Sequence, residues 1–106
     1  MKCFQLEKKG GRYVIEPVKD DLEVDINTVD ELKALFSSEI IDHTNEVYIN
    51  FKKIVYIDSS GLGFLIRIVR NYPIKIFMVD VSDEIKEVFK ATQMIPLFHF
   101  ISSGDA

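Results

Sequence analysis

The chain has one cysteine, Cys3, in 106 residues, which excludes an internal disulfide framework and fits a reducing cytoplasm. No apolar run approaches the roughly 20 residues needed to cross a bilayer. The N-terminus, Met1-Lys2-Cys3-Phe4-Gln5, turns polar too soon for a signal peptide. A basic excess is missing too. With a formal net charge of −4, neither nucleic acid nor an anionic membrane is an expected partner. Two histidines and the single cysteine show no metal-ligand spacing. There is no phosphate-loop lysine pattern, internal repeat, low-complexity segment or linker. What remains, 47% hydrophobic and 28% charged, is the composition of one soluble globular domain with a single core.

Residues 2–7 and 12–18 read as two strands of a hairpin, because Gly10-Gly11 supplies the positive φ that its turn requires. Pro17 donates no ladder hydrogen bond, so the second strand is expected to fray or lie at an edge near its end. An acidic stretch follows. Asp30 and Glu31 fit the first turn of a helix capped by Thr28, and Glu31 falls where a capping box needs it. That helix runs to about Phe36, with Val29, Leu32 and Phe36 inward, and ends at Ser37-Ser38. Asp20, Asp21, Glu23 and Asp25 have no such explanation and read as a solvated loop.

Further on, Val47, Ile49 and Phe51 alternate with Tyr48 and Asn50, which is strand periodicity. Ile54-Val55-Tyr56-Ile57 has the composition of a buried strand. Ile74 to Val79 is a near-continuous apolar run, the pattern of a central strand covered on both faces. Ser82 is placed to cap another helix with Ile85, Val88 and Phe89 inward. Leu97 to Ile101 reads as a last strand, and residues 102–106 as a loose tail. Strands alternating with helices argue for a single α/β domain, a sheet with helices packed against it.

The chemistry concentrates at Asp58-Ser59-Ser60-Gly61-Leu62-Gly63, where extended chain turns into helix. Leu62, Leu65, Ile66 and Val69 recur as one helical face, and Pro73 stops the helix near Asn71. Spacing alone leaves two roles open for the serines. One can cap the helix; the other reading is phosphorylation, since a phosphate is favoured at a helix N-terminus. Phe64 and Ile68, four residues apart, read as an apolar docking ridge outside the core, with Arg67 and Arg70 beside it. A hydrolase nucleophile elbow needs glycine two positions before the serine, and none is there; His43 and His99 are the only bases of their type. Gly61-Leu62-Gly63 lacks the third glycine of a dinucleotide fingerprint, Ile66 standing in its place.

The stretch Tyr56-Ile57-Asp58-Ser59-Ser60-Gly61-Leu62-Gly63 resembles the signature of STAS domains, specifically of bacterial anti-sigma factor antagonists. Glu23-Val24-Asp25, followed by Thr28 and Leu32, resembles the family's Gly-Glu-Leu-Asp segment, with Leu22 where glycine is usual. The order of elements agrees from residue 2 to residue 101. The resemblance implies a mixed β-sheet with helices packed on it, in one STAS domain over residues 1–106. It also implies a cytoplasmic regulator that is not an enzyme and takes no cofactor or metal. Ser59 would be phosphorylated by a partner that is both serine kinase and anti-sigma factor. The unphosphorylated form would bind that partner and free a sigma factor, and a phosphatase would reset it. Asp25 and Asp58 match acidic positions beside the phosphorylation site, and Ser60 is left as the helix cap. The expected contact surface is Asp25, Asp58, Ser60, Gly61, Phe64, Arg67 and Ile68. The alternatives are a constitutive STAS subunit of a lipid-transport assembly and a small serine hydrolase.

Overall fold

The computed structural model describes residues 2–105. In chain order the elements are β1 (Phe4–Lys9), β2 (Arg12–Pro17), β3 (Leu22–Val24), α1 (Val29–Leu35), β4 (Glu46–Asn50), β5 (Ile54–Ile57), α2 (Ser59–Asn71), β6 (Lys75–Val79), α3 (Asp83–Ala91) and β7 (His99–Ile101). The hairpin turns as its glycines dictate. Gly10 and Gly11 sit at φ +56° and +81°, and β1 pairs antiparallel with β2 from Phe4↔Pro17 to Lys9↔Arg12. The remaining neighbours are parallel, giving a five-stranded mixed sheet in the order β1-β2-β4-β6-β7. Pro17 lies beyond the stretch of β2 that pairs with β4, so its missing N–H leaves no gap there.

A second, two-stranded parallel sheet joins β3 to β5. Its β3 falls within the acidic stretch expected to be a loop. Leu22 and Val24 turn into the core while Glu23 faces out, an alternation too short to stand out from its charged neighbours. β5 is buried only at its ends: Ile54 and Ile57 are in the core, whereas Val55 and Tyr56 are each 50% exposed.

One face of the large sheet carries the core. Phe4, Ile15, Val47, Ile49, Ile76 and Met78 pack there with Leu32, Phe36, Leu65, Ile68, Ile85 and Phe89 from the helical side. Phe89 of α3 meets Phe98 and Phe100 edge to face, with ring centroids 5.4 Å away in each case. By the two-residue alternation, the opposite face bears Arg12, Val14, Glu16, Tyr48, Asn50, Phe77, Val79 and His99. β6 is therefore an interior strand with helices on one face only, not a strand covered by helices on both. Its outer face is covered by a row of stacked planar groups: Tyr48 and Phe77 lie 4.6 Å apart and Phe77 and His99 4.8 Å apart, ring centroid to ring centroid. The Arg12 guanidinium lies over Tyr48 at 4.8 Å. That spacing is about the distance between neighbouring strands, so each strand contributes one rung.

Five local expectations are corrected. Thr28 occupies the N-cap position of α1 but makes no capping hydrogen bond; its hydroxyl donates to the Glu23 carbonyl at 2.7 Å and accepts from Asp25 N–H at 3.0 Å. Glu31 does not complete a capping box either. Its carboxylate accepts the N–H groups of Cys3 at 2.8 Å and Phe4 at 2.6 Å, tying α1 to the start of β1. Ser37 and Ser38 do not end the helix: both donate back to the Ala34 carbonyl, and the chain continues through a π-helical turn, Phe36–Ile40. Near the C-terminus a 3₁₀ turn at Ile95–Leu97 replaces the first part of the expected last strand. Beyond β7 the chain is pinned, because Ser103 N–H donates to Asp80 Oδ1 at 2.9 Å; Ala106 lies outside the described residues.

Candidate functional site

The parallel pairing of β3 and β5 sets Val24 beside Ile57, and Asp58 N–H donates to the Val24 carbonyl at 3.0 Å. One register step further, Asp25 and Asp58 emerge together at the same end of this small sheet. There Asp58 stays extended (φ −102°, ψ −174°) and caps α2. Its Oδ1 accepts the N–H of Ser60 at 2.8 Å and of Gly61 at 3.1 Å, satisfying two of the donors that every helix start leaves open. The cap is therefore Asp58 and not Ser60. A carboxylate outcompetes a hydroxyl for this place, since it accepts two N–H groups and meets the positive end of the helix dipole.

That capping sets Ser59 free. It is the first residue of α2 and exposed, and among the described residues no hydrogen bond engages the hydroxyl of Ser59 or Ser60. The two glycines of the motif differ. A Cβ on Gly61 would stand 2.7 Å from Val24 Cγ1 and 2.9 Å from Ile57 Cγ1, whereas one on Gly63 would meet nothing within 4 Å. Gly61 is thus the contact point where α2 rests on β3 and β5, buried rather than offered to a partner. Gly63 is the open one.

The ridge expected at Phe64 and Ile68 is not on the surface. Phe64 is 5% exposed and Ile68 3%, and Phe64 meets Phe36 edge to face at 5.3 Å. The reason is that α2 packs on two sides at once, against β5 and against α1. A helix held in that way buries a wider arc than the single stripe that spacing suggests. Its solvent side is Ser59, Gly63, Arg67 and Arg70, at roughly helical intervals.

Asp25 shapes the loop beside this helix start. Its Oδ1 accepts Asn27 N–H at 2.9 Å, and its carbonyl accepts Val29 N–H at 2.8 Å. The turn leaves Ile26 67% exposed, the most open of the large apolar side chains among the described residues. Ile26 and Tyr56 are the surface residues that sequence reasoning missed. The signal for Ile26 was faint, one apolar residue between Asp25 and Asn27 with no periodic partner. Of the two histidines, His43 lies in an exposed turn, and His99 is stacked on Phe77 across the sheet from the helices. Among the described residues no group of three or more His, Cys, Asp or Glu side chains is placed to hold a metal ion.

Comparison with known proteins agrees with this geometry. The family model described as STAS domain matches residues 5–105. A protein named anti-sigma-B factor antagonist from Staphylococcus aureus (strain NCTC 8325 / PS 47) is 31% identical over 85 residues, covering 77% of this chain and 79% of its own. Its namesake from Staphylococcus epidermidis is 28% identical over the same shares of each chain. In three dimensions the chain is similar to the anti-sigma factor antagonist SpoIIAA in its unphosphorylated form, at TM-score 0.76 and 22% identity, over 96% of this chain and 90% of that one. It is also similar to the Bacillus cell fate determinant SpoIIAA in the phosphorylated form, at TM-score 0.68 and 22% identity, over 96% and 94%. The likeness to both structures establishes the fold, and with the family match and the staphylococcal relatives it shows that the chain belongs to the STAS-domain family of anti-sigma factor antagonists.

Proposed function

We propose that this chain is a partner-switching antagonist whose state is written on Ser59. In this reading an anti-sigma factor that is also a serine kinase binds the unphosphorylated form and gives up its sigma factor. The kinase then phosphorylates Ser59, and a serine phosphatase reverses the mark. The carrying observation is the division of labour at the helix start: Asp58 takes the capping role, so the Ser59 hydroxyl is exposed and unengaged. The contact surface centres on Ser59, Gly63 and Arg67 along α2, with Asp25, Ile26, Asp58 and Tyr56 beside them. Gly63 gives a partner room to approach, and Ile26 and Tyr56 supply the apolar contact that the buried Phe64 and Ile68 do not. Gly61, Phe64 and Ile68 act from behind by holding α2 in place. The protein works by binding and not by turnover. Its acidic charge and single cysteine support a cytoplasmic setting.

The electrostatics suit a switch. Phosphate adds about −1.5 to −2 charge next to the carboxylates of Asp58 and Asp25. Repulsion between the phosphate and one like charge on the partner, across ~6 Å at an effective dielectric near 20, is roughly 3 kcal/mol per unit charge before screening. That energy changes affinity about 100-fold. A partner surface fitted to the neutral hydroxyl is displaced. Incubation with the cognate kinase and ATP should place a single phosphate on Ser59 by phosphopeptide mass spectrometry. Ser59→Asp should weaken binding while Ser59→Ala preserves it. A phosphate found on Ser60, or equal affinity of the two variants, would overturn the reading.

A further inference from the structure

The sheet face away from the helices holds a cleft of about 360 Å³ between the β1–β2 hairpin and β4, within the size range of small-molecule sites. Val14, Tyr48 and Val79 form its floor; Arg12, Asn50 and Ser103 stand around it. Its charges are unevenly satisfied. Lys9 lies 3.2 Å from Glu7 and 3.5 Å from Glu16, and Glu16 also accepts from Asn50 Nδ2 at 2.9 Å. The hydrogen bond to Glu7, with the nearby charges of Glu7 and Glu16, holds the Lys9 ammonium above its ordinary 10.5. Arg12 is different. Among the described residues no carboxylate lies within ion-pair distance of it, and its guanidinium is laid over the Tyr48 ring at 4.8 Å. Stacking of this kind occupies the face of the guanidinium and leaves its N–H edge available for a two-point contact with a planar anion.

We propose that this cleft binds a small aromatic carboxylate, its carboxylate held by the edge of Arg12 and its ring on the floor of Val14, Tyr48 and Val79. The charge argument is local: Lys9 is held between Glu7 and Glu16, so Arg12 is the cation of the cleft that has no carboxylate within ion-pair distance among the described residues. A simple inorganic anion would use only the rim, while a neutral ring would leave Arg12 unpaired. The site is separate from Ser59, which lies at the start of α2 on the helical side of the sheet. The proposal does not depend on the switch.

Titration of the full chain with benzoate, followed by ¹H–¹⁵N chemical shifts, tests it. Saturable shifts are expected at the amides of Arg12, Val14, Asn50 and Ser103, with benzamide and acetate binding about tenfold more weakly or less. Arg12→Gln should lose benzoate binding by a similar factor with its other amide shifts unchanged, because the side chain is exposed. An equal response to acetate would mean a nonspecific anion contact at one arginine. An unaltered Arg12→Gln titration, or a benzoate response confined to the Ser59 region, would also overturn the proposal. So would slower diffusion as protein concentration rises with the same amides shifting, which would assign the face to a second copy.

Discussion

At the start of α2 the surface is assembled by neighbours in sequence. Asp58 bonds Ser60 and Gly61, Gly61 seats the helix, and Ser59 is left outside. On the far face of the sheet the surface is assembled by strangers: Arg12, Tyr48, Phe77 and His99 come from four strands and meet only because the strands align. The first region needs a local turn and one helix; the second needs the whole sheet in register. A short motif can therefore announce the first, and no motif can announce the second. The two regions also differ in charge: the carboxylates of Asp58 and Asp25 lie beside Ser59, whereas Arg12 has no carboxylate within ion-pair distance among the described residues.

The comparison can be broken most forcefully at Phe64. If α2 is seated by a two-sided buried face, Phe64→Ala should cost about 3–5 kcal/mol in urea unfolding. Arg67→Ala on the solvent side should stay within about 0.5 kcal/mol. Near-equal values would return Phe64 to the surface. Next comes Gly61→Ala, where the added methyl group overlaps Val24 and Ile57 and should cost about 1–3 kcal/mol. Gly63→Ala should instead stabilise by about 0.5–1 kcal/mol through helix propensity. The opposite signs are the test.

Asp58→Ala should cost about 0.5–2 kcal/mol as a lost cap, and Ser60→Ala within about 0.5 kcal/mol. The reverse order would make Ser60 the cap. On the sheet face, Phe77→Leu keeps an apolar side chain but removes both stacks, and should cost about 0.5–1.5 kcal/mol. That loss should leave Ser59 phosphorylation by the kinase unchanged, if the two regions are independent.

The smallest effect concerns Asp80. Its carboxylate accepts the Ser103 N–H and hydroxyl, and Lys52 adds a weaker attraction, so its pKa is lowered from 3.8. A lowered carboxylate adds stability above its ordinary value and loses it as pH falls through the folded value. The Ser103 amide should therefore keep its position down to about pH 4 and move only below it. In Asp80→Asn that acid transition should vanish. A Ser103 transition centred above 3.8 would contradict the hydrogen bond.

Much of this protein was legible in its sequence because the relevant physics is local. Positive φ at Gly10 and Gly11 makes the hairpin, alternation marks Val47 to Phe51, and Pro73 follows the end of α2 at Asn71. The motif at Asp58 to Gly63 marked the helix start and the family. Tertiary structure decided the rest wherever one group had several candidate partners. Glu31 could have capped its own helix, but the start of β1 brings it two N–H groups. Phe64 could have faced water, but α1 sets Phe36 against it. Spacing determines what a residue is able to do; long-range packing selects which of those options is satisfied, because only the folded chain supplies the competing partner.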